Sequence, residues 1–371
     1  MMKEADYFEE PCERRQFLGS FVIATVALAT ARFANQSRRV CGEENDESEK
    51  ASGTERPDES SLLVRSGWAD IDVSLGHIQT ICIHSAQTRT TTANTRGKEY
   101  YEKLSISGET DIPSVRYEAK NEQEDLSIHV INGNNVHIQQ SPNGPDGTPV
   151  QFTQSPSGTM MLRIGAGESL QEFSSRNIWH LLLREPDICK QHLMPLLDAC
   201  IASNHLMQDA QQIETGLLQK AGTPHVSRVN MGRHVHFLSS EKSEARKNAK
   251  NELYALGISA LPYLESLDLA AMDNRDQQKH VSDAIRDIGR RYTHGEDAGS
   301  RPDTVERALV WLFEDPMVWS IFLKRADADL RAIALNELQA MYPHSTVRTL
   351  QIKFGAMQFP ANQQSLETKA K

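Results

Sequence analysis

Cysteine is scarce in this sequence, and what there is does not form metal or redox motifs. The five cysteines, Cys12, Cys41, Cys82, Cys189 and Cys200, include no C-x-x-C pair. That argues against a zinc ribbon or a thioredoxin-like centre. Aromatic residues make up 6% of the 371 and hydrophobic residues 39%, less than a typical globular domain carries. Part of the chain is therefore expected to be solvated tail or linker. Positive charge is in deficit: 40 Lys and Arg against 50 Asp and Glu leave a net charge of -10. A nucleic-acid binder needs a basic stripe to release counterions, so nucleic acid is not an expected partner. A P-loop, a G-x-S-x-G elbow and an H-E-x-x-H pair are all missing. Gly165-x-Gly167 lacks the third glycine of a dinucleotide fingerprint. No cofactor is implied, no catalytic residue is nominated, and the balance leans away from an enzyme.

The stretch from Gln16 to Ala31 carries no charged residue, follows Arg14-Arg15 and ends in Ala29-Thr30-Ala31. It is short of the ~20 residues that span a bilayer comfortably. It has the proportions of a signal-peptide apolar region with a small-x-small cleavage site. Arg14, Arg15, Phe17 and Leu18 make the string resemble a twin-arginine export signal, though five acids precede it. The resemblance implies export to the periplasm or cell envelope. Uncleaved, the same run would be a single membrane anchor, and the only membrane contact. Residues 1–31 are thus read as signal or anchor. Residues 32–66 are read as an acidic linker, because 41–61 hold eight acids against Lys50 and Arg56 and show no apolar period.

From Trp68 to Ile164 the apolar period is two. Ile71 and Val73, Leu104 and Ile106, Val115 and Tyr117, Leu126, Ile128 and Val130, and Val136 and Ile138 all alternate with polar residues. Alternation of this kind marks half-buried strands, and Asn132-Gly133-Asn134 reads as a tight hairpin. Residues 67–165 are expected to form an antiparallel β domain of six to eight strands, with Thr88–Thr95 a loop or an edge strand. His129 and His137 fall on neighbouring strands, where a hydrolase site is the alternative to a binding role.

After Gly167 the period becomes helical. Leu193, Leu196, Leu197, Cys200 and Ile201 step by three and four. Gly222 to about Ser240 is less regular and reads as a loop. Residues 244–264 carry Arg246, Ala249 and Leu253, then Leu256-Gly257, then Ala260-Leu261-Pro262. This resembles one unit of the HEAT-type helical repeat, with glycine ending one helix and proline opening the next. NELYALG at 251–257 precedes DAIRDIG at 283–289 by 32 residues, and Asp329–Leu338 repeats the Arg-x-x-Ala-x-x-x-Leu spacing. The resemblance covers about 244–355 and implies stacked helix pairs that bind a protein partner; a generic helical bundle is the alternative. The fold class is therefore α+β: an antiparallel β domain, a helical domain with HEAT-like repeats over 169–355, and a tail over 356–371.

Few residues stand out as sites. Trp311 and Trp319 are either core or exposed anchors for a partner. His225, His234 and His236 are the best metal candidates, because His234 and His236 would share one face of a strand, although no nearby acid or cysteine completes a site. Cys189 and Cys200 either pair as a disulfide or are buried thiols. The expected function is an exported or membrane-tethered scaffold or adaptor. An envelope hydrolase, or a ligand sensor that keeps its anchor, is the alternative.

Overall fold

Alternating apolar residues build the first layer of the described chain, a sheet covered on one face. The computed structural model describes residues 61–82, 87–95, 98–109, 112–144, 147–201, 205–272, 274–293 and 304–355. The signal or anchor, most of the acidic linker and the 356–371 tail lie outside the described residues. Ten strands form in order: β1 (Ala69–Ser74), β2 (His77–Cys82), β3 (Gln87–Thr95), β4 (Lys98–Glu109), β5 (Ile112–Lys120), β6 (Glu124–Ile131), β7 (Asn135–Pro142), β8 (Val150–Gln154), β9 (Met160–Ile164) and β10 (Gln171–Ser175). β1 and β2 make a separate hairpin, while β3 to β10 form one antiparallel sheet in strict chain order. The threonine-rich stretch is an edge strand, β3.

One face of this sheet is apolar. Leu104, Ile106, Val115, Tyr117, Ile128, Val130, Val136, Ile138, Phe152 and Leu162 are all buried on it. The opposite face is solvated and carries surface ion pairs such as Arg116–Glu118 and Arg163–Glu172. The sheet continues ten residues past the expected end at 165. β10 pairs with β9 from Gln171–Ile164 to Ser175–Met160.

Thirteen helices are described: α1 (Leu62–Ser66), α2 (Ile178–Arg184), α3 (Pro186–Ile188), α4 (Met194–Asp198), α5 (Leu206–Lys220), α6 (Arg228–Phe237), α7 (Ser243–Leu256), α8 (Leu261–Glu265), α9 (Arg275–Thr293), α10 (Val305–Leu312), α11 (Pro316–Leu323), α12 (Ala328–Met341) and α13 (Val347–Gly355). The fold is α+β, an antiparallel sheet followed by a helical region. Helix α1 departs from the linker expected over 32–66. Ser61 caps it and Leu62 and Leu63 are buried, so two leucines at the end of the acidic stretch suffice to dock one turn. Helix α6 departs from the loop expected over 222–240. It is capped by Ser227 and buries only Met231 and Val235, one turn apart.

A buried carboxylate ties α1 to the sheet. Glu102 has no exposed surface, and its Oε1 accepts from the Leu62 N–H and the Tyr117 hydroxyl at 2.7 and 2.5 Å. Its Oε2 accepts from Arg65 at 2.7 Å. The β1–β2 hairpin is held by a buried amide. Gln154 accepts from the Ile78 N–H and donates to the carbonyls of Ile78 and Asn134, each at 2.8 Å. At the hairpin tip Gly76 adopts φ +69, and a Cβ there would meet Asn177 at 2.7 Å. Only glycine admits both demands.

The apolar interior falls into two clusters. The larger runs from the sheet through α2–α5 into α10–α13. The smaller joins α6, α7, α8 and α9. Leu75 and Ile258 pack against both.

Candidate functional site

The sequence-nominated residues land in different places. Trp319 is fully buried, and its indole N–H donates to the Phe313 carbonyl at 2.9 Å. Trp311 is 6% exposed. Neither is an exposed anchor, because both lie on the apolar stripes of short helices that pack into the main core. Cys189 and Cys200 are free and buried, so the disulfide that their spacing allows is not formed. Burial raises the pKa of each thiol to about 12, which leaves them protonated and unreactive. His234 and His236 lie on helix α6 rather than a strand. Two residues apart on a helix point to different faces, so they do not converge with each other. His129 and His137 are directly opposed across β6 and β7. Arg14, Arg15, Phe17 and Leu18 lie outside the described residues.

His225 is the candidate that acquires partners. It sits in the connection between α5 and α6 with its side chain 3% exposed. Its Nε2 lies 2.8 Å from Glu337 and its Nδ1 3.4 Å from Glu314. Its ring stacks on Phe313 at 4.4 Å. The contact at Nδ1 is an ion-pair distance without hydrogen-bond alignment, so Glu337 is the main partner. Both acids also bind backbone: Glu337 accepts from the Gly222 N–H at 2.7 Å and Glu314 from the Val226 N–H at 3.1 Å. The cluster clasps the 222–226 connection onto α12 and the end of α10.

Polar groups continue along the seam between the two apolar clusters. Arg228 donates to the Glu314 carbonyl at 2.9 Å, and its guanidinium lies 5.6 Å from the Tyr263 ring and 5.0 Å from Tyr342. Asp315 caps α11 by accepting from the Met317 N–H at 2.8 Å, and lies 2.9 Å from His180. Burial works to raise the Asp315 carboxyl, but His180, the Met317 N–H and Arg176 outweigh it and hold the pKa below its ordinary value. Glu265 is solvent-accessible yet has protein on most sides. Desolvation, with Asp315 nearby, raises it to about 7.

Two carboxyls with pKa values driven apart are a pattern also found in acid–base catalysis. Here the chemistry is otherwise employed. Asp315, Glu314 and Glu337 each accept a backbone N–H, as helix caps and loop clasps do. The seam fastens the 222–226 connection and the start of α11, and desolvation raises the pKa of Glu265 beside it.

A second feature opens on the surface of the helical layer. A groove of about 470 Å³ runs between α5 and α10, lined by Gln208, Gln212, Gln219, Gly216, Glu306 and Leu309 among others. Gln208, Gln211, Gln212 and Gln219 are exposed and recur at helical spacing on one face of α5. Glu306 is the single ionisable residue in the lining.

Sequence reasoning missed the seam and the groove. The seam joins residues more than 80 positions apart, which no local pattern reports. The glutamine stripe was visible as Gln208, Gln211, Gln212 and Gln219 within one amphipathic helix, and an uncharged polar face of that kind is the signal that could have found it. No protein-family model matches the chain, and no curated protein matches its sequence.

Proposed function

We propose that this chain is a non-enzymatic scaffold, exported or tethered to a membrane through its N-terminal segment, whose helical layer binds an extended stretch of a protein partner. The α5–α10 groove carries this reading. Its volume lies in the range of ligand sites. Leu309 and Val305 offer apolar surface, and the glutamine amides both donate and accept hydrogen bonds. That combination suits the unpaired N–H and C=O groups of an extended peptide. A lining with one ionisable group suits recognition better than acid–base chemistry. The α7–α8 pair, joined at Gly257 and with Pro262 in the first turn of α8, supports a HEAT-like reading of the neighbouring α6–α9 cluster, and stacked helix pairs hold partners on extended surfaces.

A photocrosslinking residue placed at Gln212, with a control at Glu244 on α7, tests the proposal in the source cells. One specific protein captured at Gln212 and absent at Glu244 is the expected result. The same products from both positions would remove the groove from consideration.

A further inference from the structure

The solvated face of the sheet holds a pairing that the helical layer does not use. His129 on β6 stands directly opposite His137 on β7. Their flanking residues Ile128, Val130, Val136 and Ile138 face the core, so both imidazoles stand on the outer side. Directly opposed residues have Cβ atoms about 4.5–5.5 Å apart. The ring centroids are 6.4 Å apart and the planes are inclined by 40°. His129 Nε2 is shielded from solvent and has no hydrogen-bond partner. A shielded nitrogen without a hydrogen-bond partner is open to a ligand. His137 Nε2 meets only the neutral side-chain amide of Gln151, at 2.7 Å.

We infer that His129 and His137 form a bidentate, cross-strand site for a late divalent transition-metal ion such as Zn²⁺ or Cu²⁺. Among the described residues no three His, Cys, Asp or Glu side chains gather around one point, so water completes the coordination and the ion exchanges readily. Imidazole nitrogen suits Zn²⁺ and Cu²⁺, whereas Mg²⁺ and Ca²⁺ demand oxygen ligands. The geometry is close to what such an ion requires. With metal–nitrogen bonds of about 2.0–2.1 Å, two imidazoles on a tetrahedral ion have centroids about 5.3 Å apart. The observed 6.4 Å has to shorten by about 1 Å, a side-chain torsion adjustment on a solvated face.

The neighbouring charges have opposing effects. Arg116 stands opposite His129 on β5 and repels a cation, but it is paired with Glu118 at 2.6 Å. Glu118 also lies within electrostatic reach of His129. Burial, with Arg116 and His137 alongside, lowers the pKa of His129.

The test is calorimetric titration of the untagged full chain with Zn²⁺, paired with electron paramagnetic resonance of the Cu²⁺ form. His129→Gln and His137→Gln are each expected to weaken the site by at least about tenfold, and to reduce two coordinated nitrogens to one. His234→Gln, on α6, leaves the site unchanged. Arg116→Gln tightens it. Unchanged affinity in both His129→Gln and His137→Gln overturns the inference. If either variant shifts the urea midpoint of the metal-free protein, Gln151→Glu decides. A carboxylate placed beside His137 tightens Zn²⁺ binding if the site is there, and an unchanged affinity refutes it.

Discussion

Replacing Glu102 separates two accounts of how α1 is attached to the sheet. If burial of Leu62 and Leu63 alone holds the helix, removing the carboxylate matters little. If the carboxylate is the fastening, its loss takes an acceptor from Leu62, Tyr117 and Arg65. The Leu62 N–H and the Tyr117 hydroxyl are buried, and Tyr100, which also bonds the Tyr117 hydroxyl, leaves that group one partner. Each costs about 1–3 kcal/mol when left unsatisfied. Arg65 is 33% exposed, so solvent takes over part of its charge and its share is smaller. Glu102→Ala is therefore expected to lose about 3–5 kcal/mol, the range for breaking one half of a buried ion pair. Glu102→Gln keeps an oxygen for Leu62 and Tyr117 but turns an amide NH2 toward Arg65, so it loses the charge and that one bond, and about 1–2 kcal/mol is expected. Urea unfolding followed by circular dichroism reads both differences. A loss below about 1 kcal/mol in Glu102→Ala, or equal losses in the two variants, would refute the reasoning.

The seam should report on pH through Glu265. Its pKa goes from an ordinary 4.5 to about 7 on folding, so the folded state holds the proton more tightly. That contribution is complete below pH 4.5 and is lost as the pH rises through about 7. Glu265→Gln should match the wild type at low pH and exceed its stability at pH 8; parallel profiles would count against the assignment. Gly257 and Gly289 should behave oppositely on substitution by alanine. Gly257 has φ +57 with nothing within 4 Å of a new Cβ, so Gly257→Ala loses about 1–3 kcal/mol by backbone strain alone. Gly289 lies within helix α9, where a Cβ would touch only Leu75 at 3.7 Å, and Gly289→Ala should be neutral or gain up to about 1 kcal/mol in thermal melts. Thiol labelling read by mass spectrometry should find Cys189 and Cys200 unmodified in the native protein and modified in urea; native labelling of either would contradict their burial.

Period-two alternation carried most of the sheet because each inward residue truly faces the core, as Leu104, Ile106, Ile128 and Ile138 do. Strand β10 escaped notice because Gln171–Ser175 offers a single large apolar residue, Phe173, too little to display a period. Helix α6 was obscured by its four basic residues and internal glycine, with just Met231 and Val235 to mark its buried stripe. The parallel between NELYALG and DAIRDIG holds in sequence but ends at the glycine. Gly257 terminates α7, whereas α9 continues through Gly289 to Thr293. Spacing records a residue, while its backbone angle depends on the residues C-terminal to it: a proline-opened helix after Gly257, and four more helical residues after Gly289. Glu102 was readable in principle, since an acid two residues before Leu104 falls on the inward face of its strand. The partners of His225 were not, because Glu314 and Glu337 are brought to it only when α10 and α12 dock.

The Gln154 clasp has a consequence for the order of events at the ribosome. The β1–β2 hairpin is among the first described elements to emerge, yet the amide that seats it arrives 76 residues after Ile78. At about 5–20 residues per second that interval is roughly 4–15 s. Through it Ile71, Val73 and Ile78 wait with their apolar sides uncovered. The later strands can each pair with the one just made, so the sheet grows by local steps. The oldest hairpin is then seated only after β3 to β7 have been made, and the nascent chain is most open to wrong pairing before β8 appears.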